Sequence, residues 1–269
     1  MAARRTVRGV PSRVAVRTPA TRGSLATRGV LTAFVTLAAL LTIAATGTSA
    51  ASATSGLDAT TLYRQAIATT KSWSVHYASS STQSKVTLLE SGNAGPASGT
   101  QSVSMGPSAQ SQPDSVTIEV IGGITYIKGN AGGLVNLAGF STTQAAEAAG
   151  QWIEFATDNS LFSPVVAGVR SSDIAKELAL TGPLTLGKAR TVDGYAVDAI
   201  EGTQKFGKTT GRAVLYVRAH GKHVPVEEDS LGSNGRPSAS EHVTYSGWGE
   251  TVRPEAPHAT VSIGHVSTT

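Results

Sequence analysis

From Trp73 onward the chain keeps a two-residue rhythm, and that period constrains its fold more than any other feature. Trp73, Val75 and Tyr77 alternate with Ser74, His76 and Ala78, and Val86 and Leu88 alternate with Thr87 and Leu89. Successive side chains of a strand point to opposite faces, so this alternation predicts strands buried on one side and wet on the other. The clearest pair sets Val116, Ile118 and Val120 against Thr117 and Glu119, with Gly122-Gly123 as the turn and Ile124 to Lys128 returning through Tyr126. The last third repeats the pattern. Leu184 to Arg190 precedes Thr191 to Ile200, with Asp193-Gly194 as a turn; Val214 to Arg218 leads through His220-Gly221-Lys222 to Val224, Pro225 and Val226; His242 to Trp248 follows. The Gly, Ser, Pro and Gln-rich stretch from Ser91 to Asp114 reads as a long surface loop with one weak strand around Gln101 to Met105, and Glu227 to Ser240 as a polar loop.

Short helices punctuate the strands. Asp58 can cap one that runs to about Thr70, with Leu62 and Ala66 on one face. Ser141 and Gln144 fit a capping box ahead of Ala145, Ala146, Ala148 and Ala149, with Gly150 as the stop. Ser171-Ser172-Asp173 offers a further helix start, with Ile174 and Leu178 on one face, ended by Thr181-Gly182-Pro183. Trp152, Ile153 and Phe155 form an apolar patch of no assignable period. Helix, hairpins, a central helical insertion and more hairpins predict an α+β fold. The sheet is expected to be an antiparallel half-barrel of eight to eleven strands, curved around short helices.

The first 53 residues hold seven arginines and no acid, then an apolar run from Val30 to about Ala45, then small residues through Ala53. This order reads as a secretory leader with a cleavage signal at Ala51-Ser52-Ala53 or Thr48-Ser49-Ala50. General secretion fits better than the twin-arginine route, because Thr6-Val7-Arg8 does not continue that motif after Arg4-Arg5. The apolar core is short for a spanning helix, which needs about 20 residues; retention as an uncleaved anchor is the alternative. The expected organisation is a leader over 1–53, one domain over 54–257 and a flexible tail over 258–269.

Beyond the leader, 15 basic residues face 18 acidic ones, a formal charge of −3, so the pI of 9.4 belongs mostly to the leader. Without clustered Lys and Arg to displace counterions from phosphates, a nucleic-acid partner is not expected. Cysteine is absent, which removes thiol nucleophiles, cysteine zinc sites, iron-sulfur centres and the lipidated cysteine of a bacterial lipoprotein. Burial and strand pairing must supply the stability.

No other chemistry announces itself. His220 and His223 could meet beside Glu227, Glu228 and Asp229, but incidental histidines on a solvated loop explain them far better. Ser171-Ser172-Asp173 reads as helix capping, and no Gly-x-Ser-x-Gly elbow presents a serine nucleophile. Asp193 belongs to a turn and Asp198 alternates with apolar neighbours like a solvent-face residue, so neither reads as one of a pair of catalytic acids. Gly122-Gly123 and Gly132-Gly133 lack the spacing of a phosphate loop. Neither an enzyme nor a cofactor is expected.

The segments Ile124-Thr-Tyr-Ile-Lys-Gly-Asn130, Gly150-Gln-Trp-Ile153, Ser171-Ser-Asp-Ile-Ala-Lys-Glu-Leu178, Val214-Leu-Tyr-Val217 and Tyr245-Ser-Gly-Trp-Gly249, with Val252 and Pro254-Glu-Ala-Pro257, occur in an order that resembles the LppX/LprG-like group of exported actinobacterial lipoproteins. That group shares its fold with lipoprotein carriers of the LolA type, and the resemblance covers roughly Leu57 to Pro257. It implies a half-barrel around helices with an apolar cavity for acylated lipids. This chain departs from many such relatives in lacking the lipidated cysteine.

The expectation is therefore an exported, monomeric, non-enzymatic binding or carrier protein for a lipid or acyl chain, secreted or associated with the envelope. Val116, Ile118, Val120, Tyr126, Val214 and Tyr216 are expected to form the sheet wall. Leu134, Leu137, Phe140, Trp152, Phe155 and Phe162 are expected to form the helical cover and entrance, because aromatic and aliphatic side chains line such pockets. The alternative is an envelope interaction domain with a filled core and a protein partner.

Overall fold

The computed structural model describes residues 54–83, 86–107, 112–157, 166–206, 209–233 and 237–262. The expected leader and Phe162 lie outside these residues. Two antiparallel meanders meet edge to edge. The first runs through β1 (Val75–Gln83), β2 (Val86–Ala94), β3 (Gly99–Pro107), β4 (Asp114–Ile121), β5 (Ile124–Gly129) and β6 (Ile153–Ala156). The second comprises β7 (Thr181–Leu186), β8 (Arg190–Val192), β9 (Tyr195–Phe206), β10 (Thr209–Arg218), β11 (Pro225–Ser233) and β12 (Pro237–Ser246). β12 pairs antiparallel with β1 from His76↔Ser246 to Thr82↔Ser240, and this seam makes one sheet of both halves. β13 (Val261–Ser262), in the stretch expected as a tail, pairs parallel with β6 and brings the strands among the described residues to 13, more than the alternation alone indicates.

Both expected tight turns form. Gly122 and Gly123 have φ of 58° and 85°, and Asp193 and Gly194 have 47° and 81°. Positive φ at both central residues matches the twist of the flanking strands. Two expected loops are strands instead. β2 and β3 pair continuously from Val86↔Pro107 to Ala94↔Gly99, which takes up most of the Ser91 to Asp114 stretch. β11 and β12 pair from Glu227↔Thr244 to Ser233↔Pro237 across the supposed polar loop. Their small polar side chains carry little alternation, but a ladder is made by the backbone and needs only a paired neighbour.

Among the described residues four helices lie on one face. α1 (Ala59–Ser72) starts at Asp58, whose carboxylate accepts the Thr61 N–H at 2.9 Å. α2 (Ala131–Asn136) is capped by Asn130, and α3 (Thr142–Ala148) by the expected Ser141/Gln144 capping box. α4 (Ser171–Glu177) begins at Arg170 without a side-chain cap, so Ser171 does not serve as the cap expected of it. Its hydroxyl donates instead to the Lys71 carbonyl at 3.2 Å and ties α4 to the end of α1. The α+β architecture is thus the expected one: a large antiparallel sheet with short helices on one side.

The helices bury two separate apolar clusters. α2 and α3 place Leu134, Leu137, Phe140, Ala145 and Ala148 on Val116, Ile118, Val120, Ile127, Ile153 and Phe155. α1 and α4 place Leu62, Ala66, Ile174 and Leu178 on Val75, Tyr77, Ile200, Ala213, Leu215 and Tyr245.

Candidate functional site

Residues directly opposite on antiparallel strands share a face, so the helix-bearing inner face can be followed from strand to strand. One row runs from Leu215 through Glu228, Val243 and Ser79 to Glu90, Val103 and Val116. The next runs from Ala213 through Ser230, Glu241 and Ser81 to Leu88 and Met105. Along these rows Leu88, Val103 and Met105 extend the first cluster onto β2 and β3 beside Glu90, while β11, β12 and β1 carry Glu228, Ser230, Glu241, Ser79 and Ser81 around Val243. On the apolar strip of β2 and β3 Leu88 is buried while Val86, Val103 and Met105 are only half-buried. Both strands at the seam and the β2–β3 hairpin are segments whose sequence suggests little burial.

The expected wall and cover residues divide by face. Val116, Ile118, Val120, Leu134, Leu137, Phe140 and Phe155 come together in one cluster. Tyr126 is buried but on the outer face, opposite Glu119 and Glu154, while Thr125 and Ile127 take the inner positions of β5. Val214 and Tyr216 likewise lie on the outer face, not the inner wall, because Ala213, Leu215 and Val217 hold the buried positions of β10. Trp152 is half-buried before β6, with the Lys128 ammonium 5.9 Å from its ring centroid. Missed by the alternation were Val103 and Met105 as inner-face residues; a Val-x-Met pair among serines and glycines is the faint signal that marks them.

Glu228 is the least expected residue of the inner face. It is 4% exposed; Oε2 accepts the Tyr245 hydroxyl at 3.2 Å, and Oε1 has no hydrogen-bond partner. Burial first, and then the neighbouring Glu241 carboxylate, push its carboxyl up to about 8, against the pull of Tyr245 and Gln204. Burial also raises Tyr245 well above the ordinary phenol. Asp198, expected on the solvent face, is also buried and accepts the Ser55 N–H at 2.9 Å.

On the outer face Glu227, Asp229 and His242 offer ligand atoms within 4.8 Å of one another. His242 Nδ1 is 2.8 Å from Asp229 Oδ1, and Arg190 pairs with Glu227 while its guanidinium lies 3.6 Å from the Tyr216 ring centroid. The donor set suits a divalent ion, yet Arg190 already supplies positive charge there. The grouping suggested by the sequence does not form around His220 and His223: His220 is exposed and His223 Nδ1 bonds to the Arg218 carbonyl at 2.9 Å. Two open clefts lie among the described residues. One of about 570 Å³ lies between Trp73, Pro96, Trp248 and Val252, and one of about 490 Å³ lies beside Lys128, Asn130 and Gly150. Among the described residues no helix is long and apolar enough to cross a membrane.

No known protein family matches the chain by sequence, and neither does any curated protein. Among solved structures the chain is similar to LprF from Mycobacterium bovis, at 14% identity and a TM-score of 0.49, over 74% of this chain and 96% of that one. It is also similar to the Mycobacterium tuberculosis lipoprotein LppX, at 17% identity and a TM-score of 0.44, over 73% and 98%. A conserved protein from Thermus thermophilus matches at 10% identity and a TM-score of 0.38, over 76% and 98%.

Proposed function

We propose that this protein is a non-enzymatic, monomeric carrier, exported across the cytoplasmic membrane, which holds a lipid or acyl chain against the inner face of its sheet. The observation that carries the reading is the apolar strip of β2 and β3, where Val86 stays half-buried and Val103 and Met105 are only partly buried at the margin of the first cluster, against which they pack. Each methylene laid on such a surface contributes roughly 0.8 kcal/mol, so a chain of ordinary lipid length would bind without new polar contacts. The leader supports export, and the acidic balance of the rest of the chain speaks against nucleic acid. An envelope protein as sole partner is favoured less. The exposed large apolar residues Leu89, Ile124, Leu186, Tyr195 and Leu231 each sit on a different strand rather than in one patch.

The test is direct. Native mass spectrometry of protein from its own host should show a reproducible organic-extractable mass, and purified protein should take up a pyrene-labelled monoacylglycerol. Met105→Asp should cut that uptake at least tenfold with unchanged circular dichroism, and Leu231→Asp on the outer face should not. Clean apoprotein with no uptake, or equal uptake by both variants, would refute the reading.

A further inference from the structure

Among the described residues Asp198 is a buried carboxylate with no ion-pair partner. It lies on β9 opposite Val217, is 3% exposed, and accepts the Ser55 N–H at 2.9 Å. One N–H satisfies a lone pair but does not balance a negative charge, and a charge held out of water is costly unless it is paired.

The segment that reaches Asp198 is fixed by its own residues. Ser55 is half-buried, and its hydroxyl accepts the Leu57 N–H at 3.3 Å. Gly56 has a φ of 72°, the left-handed conformation that turns the chain from Asp198 toward the Asp58 cap of α1. Leu57 then packs against the second apolar cluster. Thr54, the residue before this anchor, is exposed. Its nitrogen is at most about one residue's span, ~3.6 Å, from that of Ser55, which leaves it close enough for a charge there to act on the carboxylate. No lysine, arginine or histidine occurs between Arg28 and Arg64. This stretch can therefore bring positive charge to Asp198 in one way, by ending in a free amine. Of the two cleavage signals, Ala51-Ser52-Ala53 puts that amine on Thr54, whereas Thr48-Ser49-Ala50 puts it on Ala51, farther from the carboxylate.

We propose that the leader is cut between Ala53 and Thr54, and that the new α-ammonium of Thr54 pairs with Asp198, so that removal of the leader itself stabilises the mature fold. A peptidase that accepts small residues ahead of the cut adds water across the Ala53–Thr54 amide. The C–N bond breaks, the leader keeps the new carboxylate, and its proton goes to the Thr54 nitrogen, since a terminal amine has a pKa of about 7.7 to 8.0. The precursor carries an uncharged amide at that place and cannot form the pair. The proposal rests on the leader and not on the cargo.

Protein secreted by its own host from the full-length precursor provides the test. Its intact mass should correspond to a chain that starts at Thr54. Acetylation of the terminal amine at about pH 6.5, where lysines stay protonated, should lower the Tm by about 2 to 4 °C. In Asp198→Asn the same acetylation should change the Tm by less than about 1 °C. Should that variant fail to accumulate, about 1 M salt should cut the wild-type acetylation loss by roughly half, because the pair sits at the surface end of the segment and is screened. A secreted chain that starts anywhere else or keeps its leader would overturn the proposal. So would an acetylation that leaves the Tm unchanged, lowers it equally with and without Asp198, or lowers it equally in low and high salt.

Discussion

Glu228 shows what register can do to a single side chain. As the residue after Glu227 in an acidic run it looks solvated, yet pairing with Val243 and Leu215 turns it onto the inner face. Its folded-state pKa is pushed up to about 8 from an ordinary 4.5, so the native state keeps a proton that the unfolded chain releases. Stability from this group is fully present below the unfolded value and is lost as pH rises through the folded one. The protein should therefore lose a few kcal/mol of stability from this group between about pH 4.5 and 8, and Glu228→Gln should remove that dependence. Urea unfolding of both proteins at pH 5, 6.5 and 8 measures the difference, and parallel stability profiles would contradict it. Asp198 is the companion lesson. Alternation reads it as a solvent-face residue, but the fold buries it and satisfies its carboxylate with the Ser55 N–H.

Among the elements, α2 depends on a close approach that a local reading of its glycines misses. Gly133 lies on β4 so tightly that a Cβ would fall 2.1 Å from the Ser115 carbonyl oxygen, a backbone atom that cannot step aside. At Gly132 the Cβ would meet only the Asp114 carboxylate at 2.0 Å, the movable end of a side chain. Gly133→Ala should cost on the order of 3 kcal/mol, and Gly132→Ala distinctly less, as read from thermal unfolding; equal losses would mean that the helix can shift off the strand. The Asp58 cap and the Ser141/Gln144 box were legible because a cap is a contact between residues three apart. The β2–β3 and β11–β12 ladders were not, since serine, glycine and glutamine leave no periodic mark and become strands only when neighbours supply the pairing.

At the scale of the whole molecule the decisive contact is the seam between β1 and β12, which joins Ala78 to Thr244 across a sequence separation of 166 residues. It places the first and last long strands of the sheet side by side in its middle, so neither meander can leave without exposing the other. β13 is peripheral, held by two residue pairs with β6. Truncation after Pro257 should speed amide exchange in β6 while leaving the seam amides of β1 and β12 exchanging only by global unfolding. Hydrogen exchange followed by mass spectrometry tests this, and loss of seam protection in the truncated chain would show that the edge governs the centre. Folding itself waits on that long-range pairing, for which loop closure must come first.

What the amino-acid order determined alone was local: where the strongly alternating strands and the Asp58 and Ser141 caps form, that glycines and one aspartate reverse the chain, and which residues along a strand alternate. Those outcomes depend on dihedral preference and on neighbours within about four positions. Which of the two alternating sets faces the helices was decided elsewhere. Val214 and Tyr216 went outward and Val103 and Met105 inward because register is a property of two strands, set by pairing across scores of residues, and a shift of one residue exchanges the faces. The carboxylates and hydroxyls of β11, β12 and β1 beside the apolar strip have the same origin, for these residues are distant in sequence and become neighbours only in the assembled sheet.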